Sequence, residues 1–153
     1  MSASVGAFLR FGLIAHLSLR ALIAPVVFGV TALAQDKDGR VLLVRHTYQP
    51  GWLLPGGGVA RGELPEAAVI RELKEEVGFI RGGNPELIRI YNRKAGWATN
   101  VTALYRVREV EIQFRRNLEI REAAFYLPNA LPDGTPSATR RRIDEVLGSS
   151  APQ

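Results

Sequence analysis

The spacing of apolar and polar positions changes along the chain, and the changes divide it into elements. Between Leu64 and Val77 the apolar residues Val69, Ile70, Leu73 and Val77 recur at the period of a helix with one face turned to a core. Glu72, Glu75 and Glu76 fall on a narrow acidic arc beside that stripe, at i, i+3 and i+4. Pro65 suits the first turn, where a backbone N–H would lack an intrahelical partner anyway. Gly78 suits the position just past the end, where φ is usually positive. The helix is therefore predicted from about Leu64 or Pro65 to Val77.

Elsewhere the pattern is that of strands. Pro25–Ala34 is a buried apolar run, Asp36–Gly39 is a turn with Asp38-Gly39 as a hairpin signal, and Arg40–His46 reads as the returning strand. Phe79-Ile80, Glu86–Asn92 and Ala123–Leu127 read as further strands. Trp97–Glu111 reads as a long one whose Val101, Ala103, Tyr105 and Val107 share a face. Thr47–Gly51, Arg93–Gly96 and Gln113–Leu118 are left as loops. Pro136 and Ser137 open a second helix that turns Ala138, Ile143, Val146 and Leu147 to the core and Arg140-Arg141-Arg142 outward, with Gly148 as its end. Strands around one central helix, with a terminal helix on the other side, predict an α/β fold: a three-layer α/β/α sandwich with a mixed sheet.

Composition narrows the class. A chain of 153 residues, 46% hydrophobic and 23% charged, is one soluble domain large enough to bury a core. It has no cysteine, which excludes disulfides and thiolate metal sites. The net charge is +5, and 17 of the 20 basic residues are arginine. That balance fits an anionic substrate, and equally a generally basic surface. No basic run studded with aromatics suggests a nucleic-acid platform, so no stable nucleic-acid partner is expected.

The first 22 residues are apolar, with Arg10, His16 and Arg20 interspersed. The longest charge-free stretch nearby, residues 21–35, contains Pro25 and Gly29 and is short for a bilayer span. Cleavage as a signal peptide near Ala32–Ala34 would remove the first strand, so a cytoplasmic location is expected. Residues 1–22 are read as a helical segment lying on the domain, on a second subunit or on a membrane surface. The domain proper is placed at residues 23–148, with a frayed tail at 149–153.

Candidate chemistry gathers at one place. Gly56-Gly57-Gly58 leads into the acidic helix through a loop, and glycines let a backbone approach a ligand closely. Converging carboxylates suit hard divalent cations. Arg71, one turn from Glu75, can orient it by a charge-assisted hydrogen bond. The pattern G-x5-E-x7-R-E-U-x-E-E-x-G-U, with U bulky and apolar, is met by Gly57, Glu63, Arg71-Glu72-Leu73, Glu75-Glu76, Gly78 and Phe79. It is similar to the Nudix box of the Nudix hydrolases; Phe79 stands where an aliphatic residue is usual. A chance match would occur at roughly one in 10⁸ start points, which sets aside an ordinary glutamate-rich surface helix. The run from Arg40 to Gly58 also resembles small bacterial Nudix sequences.

The resemblance covers about residues 25–148 and implies the same layered fold. It implies a hydrolase that cleaves a nucleoside diphosphate linked to another group, by water attack on phosphorus, with magnesium, or manganese in its place, as cofactor. By position, Glu72 and Glu76 would be the main metal ligands, assisted by Glu75 and the Gly56 carbonyl. A late-loop carboxylate often joins them in the family; Glu119 is the first candidate and Glu122 the second, a solvated loop acid being the competing reading of either. Glu72, Glu75 or that late-loop acid would be the general base. Arg71 would orient a carboxylate, and Glu63 would be structural at the helix entry. Gly57 and Gly58 would meet substrate, and Arg45 and His46 would lie near the pocket mouth or simply end a strand. Trp52 would stack on a base or belong to the core. The proline that ADP-ribose-specific members often carry after the box is replaced here by Lys94. The tyrosine of dinucleoside polyphosphate members is replaced by Ala95, Gly96 or Trp97. The alternative to an enzyme is a Nudix module that binds a nucleotide or protein without turnover; such modules usually lack a box glutamate, and none is missing here.

Overall fold

The structure, a computed structural model, describes residues 25–148. The expectations for residues 1–22 and for the tail therefore lie outside the described residues. The elements run β1 (Val26–Ala34), β2 (Val41–His46), β3 (Gly56–Gly58), α1 (Pro65–Val77), β4 (Phe79–Arg81), β5 (Glu86–Ala95), β6 (Ala98–Val107), β7 (Glu111–Ile112), β8 (Ile120–Tyr126) and α2 (Ser137–Leu147).

The main sheet has the order β3-β1-β6-β5. β1 runs antiparallel to β3 and parallel to β6, and β6 antiparallel to β5, so the sheet is mixed. β2 pairs with β8, and β4 with β7, both antiparallel. Alternation along the strands makes two cores. Val30, Ala32, Leu42, Val44, Ala103 and Tyr105 point to the side where α1 buries Ala68, Val69, Leu73 and Val77. Leu33, Val41, Leu43 and Leu104 point to the other, where α2 buries Ile143 and Val146. The predicted helix–sheet–helix layering is the observed one.

Four local expectations need correction. The Asp36–Gly39 turn exists: Asp36 Oδ1 accepts the N–H groups of Asp38 and Arg40, and Gly39 has φ 77°. It does not make a two-stranded hairpin, since β1 and β2 meet only at the Gln35–Val41 bridge. Both edges of β1 are taken by β3 and β6, so β2 turns away to pair with β8. The Arg93–Gly96 loop is mostly strand: β5 continues to Ala95 and turns at Gly96, φ 61°, into β6. The long Trp97–Glu111 strand is broken after Val107, where Glu109 adopts φ 54°. On α2, Thr139 is buried and Ala138 exposed. Two of its three consecutive arginines are engaged: Arg140 donates to the Thr135 and Pro132 carbonyls, and the Arg142 guanidinium lies 4.9 Å from the Tyr91 ring centre. Among the described residues, no helix is long and apolar enough to cross a membrane.

Candidate active site

The helix bounds follow the sequence. Pro65 occupies the first turn of α1, and Gly78 closes it with φ 66° and ψ 49°, its N–H turned back to the Leu73 and Lys74 carbonyls. Glycine is needed there twice over, because a Cβ would also run into the Gln113 carbonyl. The glycine strand β3 lies against β1 with Gly57 opposite Val30 and Gly56 opposite Thr31. A Cβ on Gly56 would overlap the Val30 carbonyl, and one on Gly57 the Glu72 carboxylate. Absent side chains thus bring a bare backbone against the acids of α1.

Arg71 is the hub. Its Nε and Nη2 donate to the two oxygens of Glu63 at 2.8 and 2.9 Å, a bidentate pair. Its Nη1 donates to Glu72 at 2.7 Å and to Glu75 at 3.2 Å, and Nη2 also reaches the Gly58 carbonyl at 2.8 Å. The spacing alone suggests Glu75 as the partner of Arg71; the shorter bonds go to Glu63 and Glu72. Glu63 also accepts the Ala60 N–H at 2.9 Å, so one pair ties the loop, the helix and the glycine strand together. Its bonds to Arg71, then to Ala60, hold the Glu63 carboxyl down to about 2. The same pairing raises Arg71 further above its ordinary range.

Glu76 lies differently. It is only 3% exposed, and its Oε2 accepts one neutral donor, the Gly56 N–H, at 3.0 Å. Burial pushes its carboxyl up to about 8; the Gly56 bond opposes this, and the charges of Glu72, Glu119 and Glu75 add to it. Glu119 thus stands within electrostatic reach of Glu76, and of His46 and Tyr48 as well. Glu122 is drawn instead into ion pairs with Arg45 at 3.2 Å and Arg121 at 3.3 Å. Of the two late-loop acids, Glu119 is the one beside the helix cluster.

Among the described residues, no three His, Asp or Glu side chains converge tightly enough to grip a metal ion as they stand. Arg71 holds Glu72 and Glu75, and Gly56 holds Glu76. The donor set nonetheless fits a hard divalent cation. It is all oxygen, three further acids act electrostatically on the nearly buried Glu76, and that group has no cationic partner among the described residues.

Other assignments shift. Trp52 is 8% exposed and sits in the second core, edge-on to Tyr126 at 5.1 Å with the Arg45 guanidinium 5.5 Å from its ring centre. Of the two readings of Trp52, base stacking or core, its burial favours the core. Tyr48 is the aromatic that sequence reasoning missed. It is 71% exposed, lies 5.1 Å from His46, and its phenol is raised by burial and by the charges of Glu119, Glu76 and Glu72. An aromatic in the Thr47–Gly51 loop was the available signal. His46 is buried with Nδ1 unpartnered, and that burial lowers its imidazole.

One buried glutamate beside a glycine strand, with its neighbouring acids held by one arginine, lies inside residues 25–146, which the NUDIX domain family matches. The chain belongs to that family. Among curated relatives, the RNA pyrophosphohydrolase of Hydrogenovibrio crunogenus is 41% identical over 64 residues, 42% of this chain and 36% of that protein. That of Acinetobacter baylyi is 42% identical over 65 residues, with the same two shares, 42% and 36%. The match thus spans little more than a third of the length of these relatives. Among solved structures, the MutT NUDIX hydrolase from Burkholderia pseudomallei superposes with a TM-score of 0.65 at 28% identity, covering 79% of this chain and 98% of that one. The MutT protein from Methanosarcina mazei also gives 0.65, at 24% identity over 82% and 95% of the two chains, and there the likeness is one of fold.

Proposed function

We propose that this chain is a divalent-metal-dependent pyrophosphohydrolase that cleaves the phosphoanhydride link of a nucleoside diphosphate derivative by water attack on phosphorus. The observation that carries it is Glu76: a carboxyl group 3% exposed, within electrostatic reach of Glu72, Glu119 and Glu75, and without a cationic partner among the described residues. Such a group is costly to bury and is explained by a cation that it holds in the working enzyme. Glu72, Glu75, Glu76 and Glu119, with the Gly56 carbonyl, would hold magnesium or manganese. Bound there, the cation supplies charge neutralisation of the diphosphate and a lowered pKa for the attacking water. Arg71 orients Glu72 and Glu75, and Glu63 keeps Arg71 in place. The bare backbone at Gly58 leaves room for phosphate oxygens, while that at Gly57 makes room for the Glu72 carboxylate. Glu72, Glu75 or Glu119 takes the proton of the attacking water.

The relatives named for RNA pyrophosphohydrolysis and the MutT-type structures widen the substrate class: the diphosphate may be sought on a free nucleotide or on RNA. That reading adds an RNA end, as a substrate to be tried, to the expectation of no stable nucleic-acid partner. The deciding experiment is phosphate and pyrophosphate release from nucleoside triphosphates, oxidised ones included, ADP-ribose, nucleotide sugars, dinucleoside polyphosphates and triphosphate-ended RNA, with and without Mg²⁺. Metal-dependent release from one class supports the enzyme. Tight nucleotide binding without release from any would replace it with a non-catalytic module.

A further inference from the structure

Asn117 bridges the end of α1 to the segment that carries Glu119. Its Nδ2 donates to the carbonyls of Glu75 at 3.2 Å and Glu76 at 3.3 Å. Its Oδ1 accepts the N–H groups of Glu119 at 2.9 Å and Ile120 at 2.7 Å. Its own N–H donates to the Ile120 carbonyl at 3.1 Å. The helix carbonyls it meets belong to the last turn, which has no intrahelical donors left to offer. One amide thus joins the backbone of two box acids to that of the late-loop acid.

Asn117, Leu118 and Glu119 are all exposed, Leu118 at 94%. Phe114 and Ile120 pack against the first core, and the stretch between them is fastened by hydrogen bonds. Gln113 N–H donates to the Gly78 carbonyl at 2.8 Å, Thr47 N–H to the Glu119 carbonyl at 2.8 Å, and Thr47 Oγ1 to the Leu118 carbonyl at 2.7 Å. Without the Asn117 bridge, Glu119 would be held at the β2 end by Thr47, while its tie to the α1 end would run only through Gln113 and Gly78, six residues away. Cation binding would then have to order it, at an entropic cost.

We propose that Asn117 is a positioning residue that holds Glu119 against the Glu72–Glu75–Glu76 arc and so sets the affinity of the site for its divalent cation. This rests on the reading of those acids as metal ligands. The test is calorimetric titration of the full chain with Mn²⁺, together with the Mg²⁺ concentration for half-maximal turnover. The variants are Asn117→Ala, Asn117→Ser, Glu119→Gln and the double Asn117→Ala/Glu119→Gln. Serine can still accept the Glu119 N–H but cannot span to the helix carbonyls, so it isolates the bridge should alanine perturb folding.

We expect Mn²⁺ affinity to fall about tenfold in Asn117→Ala and Asn117→Ser, the loss typical for a group that orients a ligand. Turnover at saturating metal should stay within about threefold, because the bound cation then holds Glu119 in place without the bridge. In the Glu119→Gln background the alanine should add less than about twofold, because the two act through one ligand. Three results would overturn the proposal: unchanged affinity in both single Asn117 variants, unchanged affinity in Glu119→Gln, or additive losses in the double variant. A wild-type chain that binds no Mn²⁺ would remove the metalloenzyme reading as well, whereas wild-type binding with intact Asn117 variants removes only this inference.

Discussion

The two helices cover opposite faces of the same sheet, and their polar sides are built on opposite terms. On α2, charge is matched locally: Glu145 accepts from Tyr91 at 2.7 Å and pairs with Arg89 at 3.6 Å, Arg142 rests on the Tyr91 ring, and Arg140 satisfies two carbonyls. On α1, one guanidinium serves Glu63, Glu72 and Glu75, while Glu76 is buried without any cation. A face built for stability looks like α2. The surplus negative charge of α1 works against folding, since like carboxylates one turn apart repel and burial of a charge is unfavourable. Such a surplus persists where another charge is meant to arrive.

The comparison can be broken most directly at Glu76. Glu76→Gln should lower metal-dependent turnover by about a thousandfold or more, as loss of a principal metal ligand does. The same change should stabilise the metal-free protein at pH 8. The sign follows from linkage: a carboxyl raised to about 8 binds more protons folded than unfolded, so stability falls as pH rises from near 4.5 to about 8. Glutamine escapes that loss, by on the order of 4 kcal/mol, while still accepting the Gly56 N–H. Chemical denaturation at pH 5.5 and pH 8 reads this out; a destabilised glutamine variant at pH 8 would mean that Glu76 has a cationic partner after all.

Arg71→Ala should come next, with turnover down about tenfold to a hundredfold and stability down by about 1–2 kcal/mol, because three acids lose a shared, half-exposed donor. Gly57→Ala should follow, with turnover down about tenfold, since its methyl group displaces the Glu72 carboxylate. Least affected should be Arg142→Ala on α2. It loses about 0.5–1 kcal/mol of cation–π contact, measured by thermal melting, and leaves steady-state kinetics alone. Equal kinetic damage from Arg142→Ala and Gly57→Ala would erase the distinction between the helices.

How much of this was legible in the sequence depended on how local the cause is. The bounds of α1 and the layering were legible, because Pro65, Gly78 and the apolar period act within a turn or two of themselves. The β1–β2 hairpin was misread because competition for the edges of β1 is decided by β3 and β6, far away in sequence. The box acids could be named, but not who holds whom: Glu63, eight residues from Arg71, takes its best bonds. Trp52 could not be told from a binding residue, since its burial depends on Tyr126 and α2. Asn117 carried no signal at all, because an asparagine in a loop looks the same whether it bridges two elements or faces water.

The parallel pairing of β1 with β6 has a bearing on how the domain comes into being. Val26 lies opposite Thr99, and the register holds to Ala34 opposite Val107, so the first strand waits for a partner 73 positions downstream (99 − 26). As the chain leaves the ribosome, the box helix is already made before the central sheet can zip up, and only the three-residue glycine strand is available to β1 in the meantime. Assembly of this molecule is therefore paced by long-range closure rather than by helix formation. A nascent chain stalled ahead of Thr99 would present an acidic helix with no finished sheet to lean on.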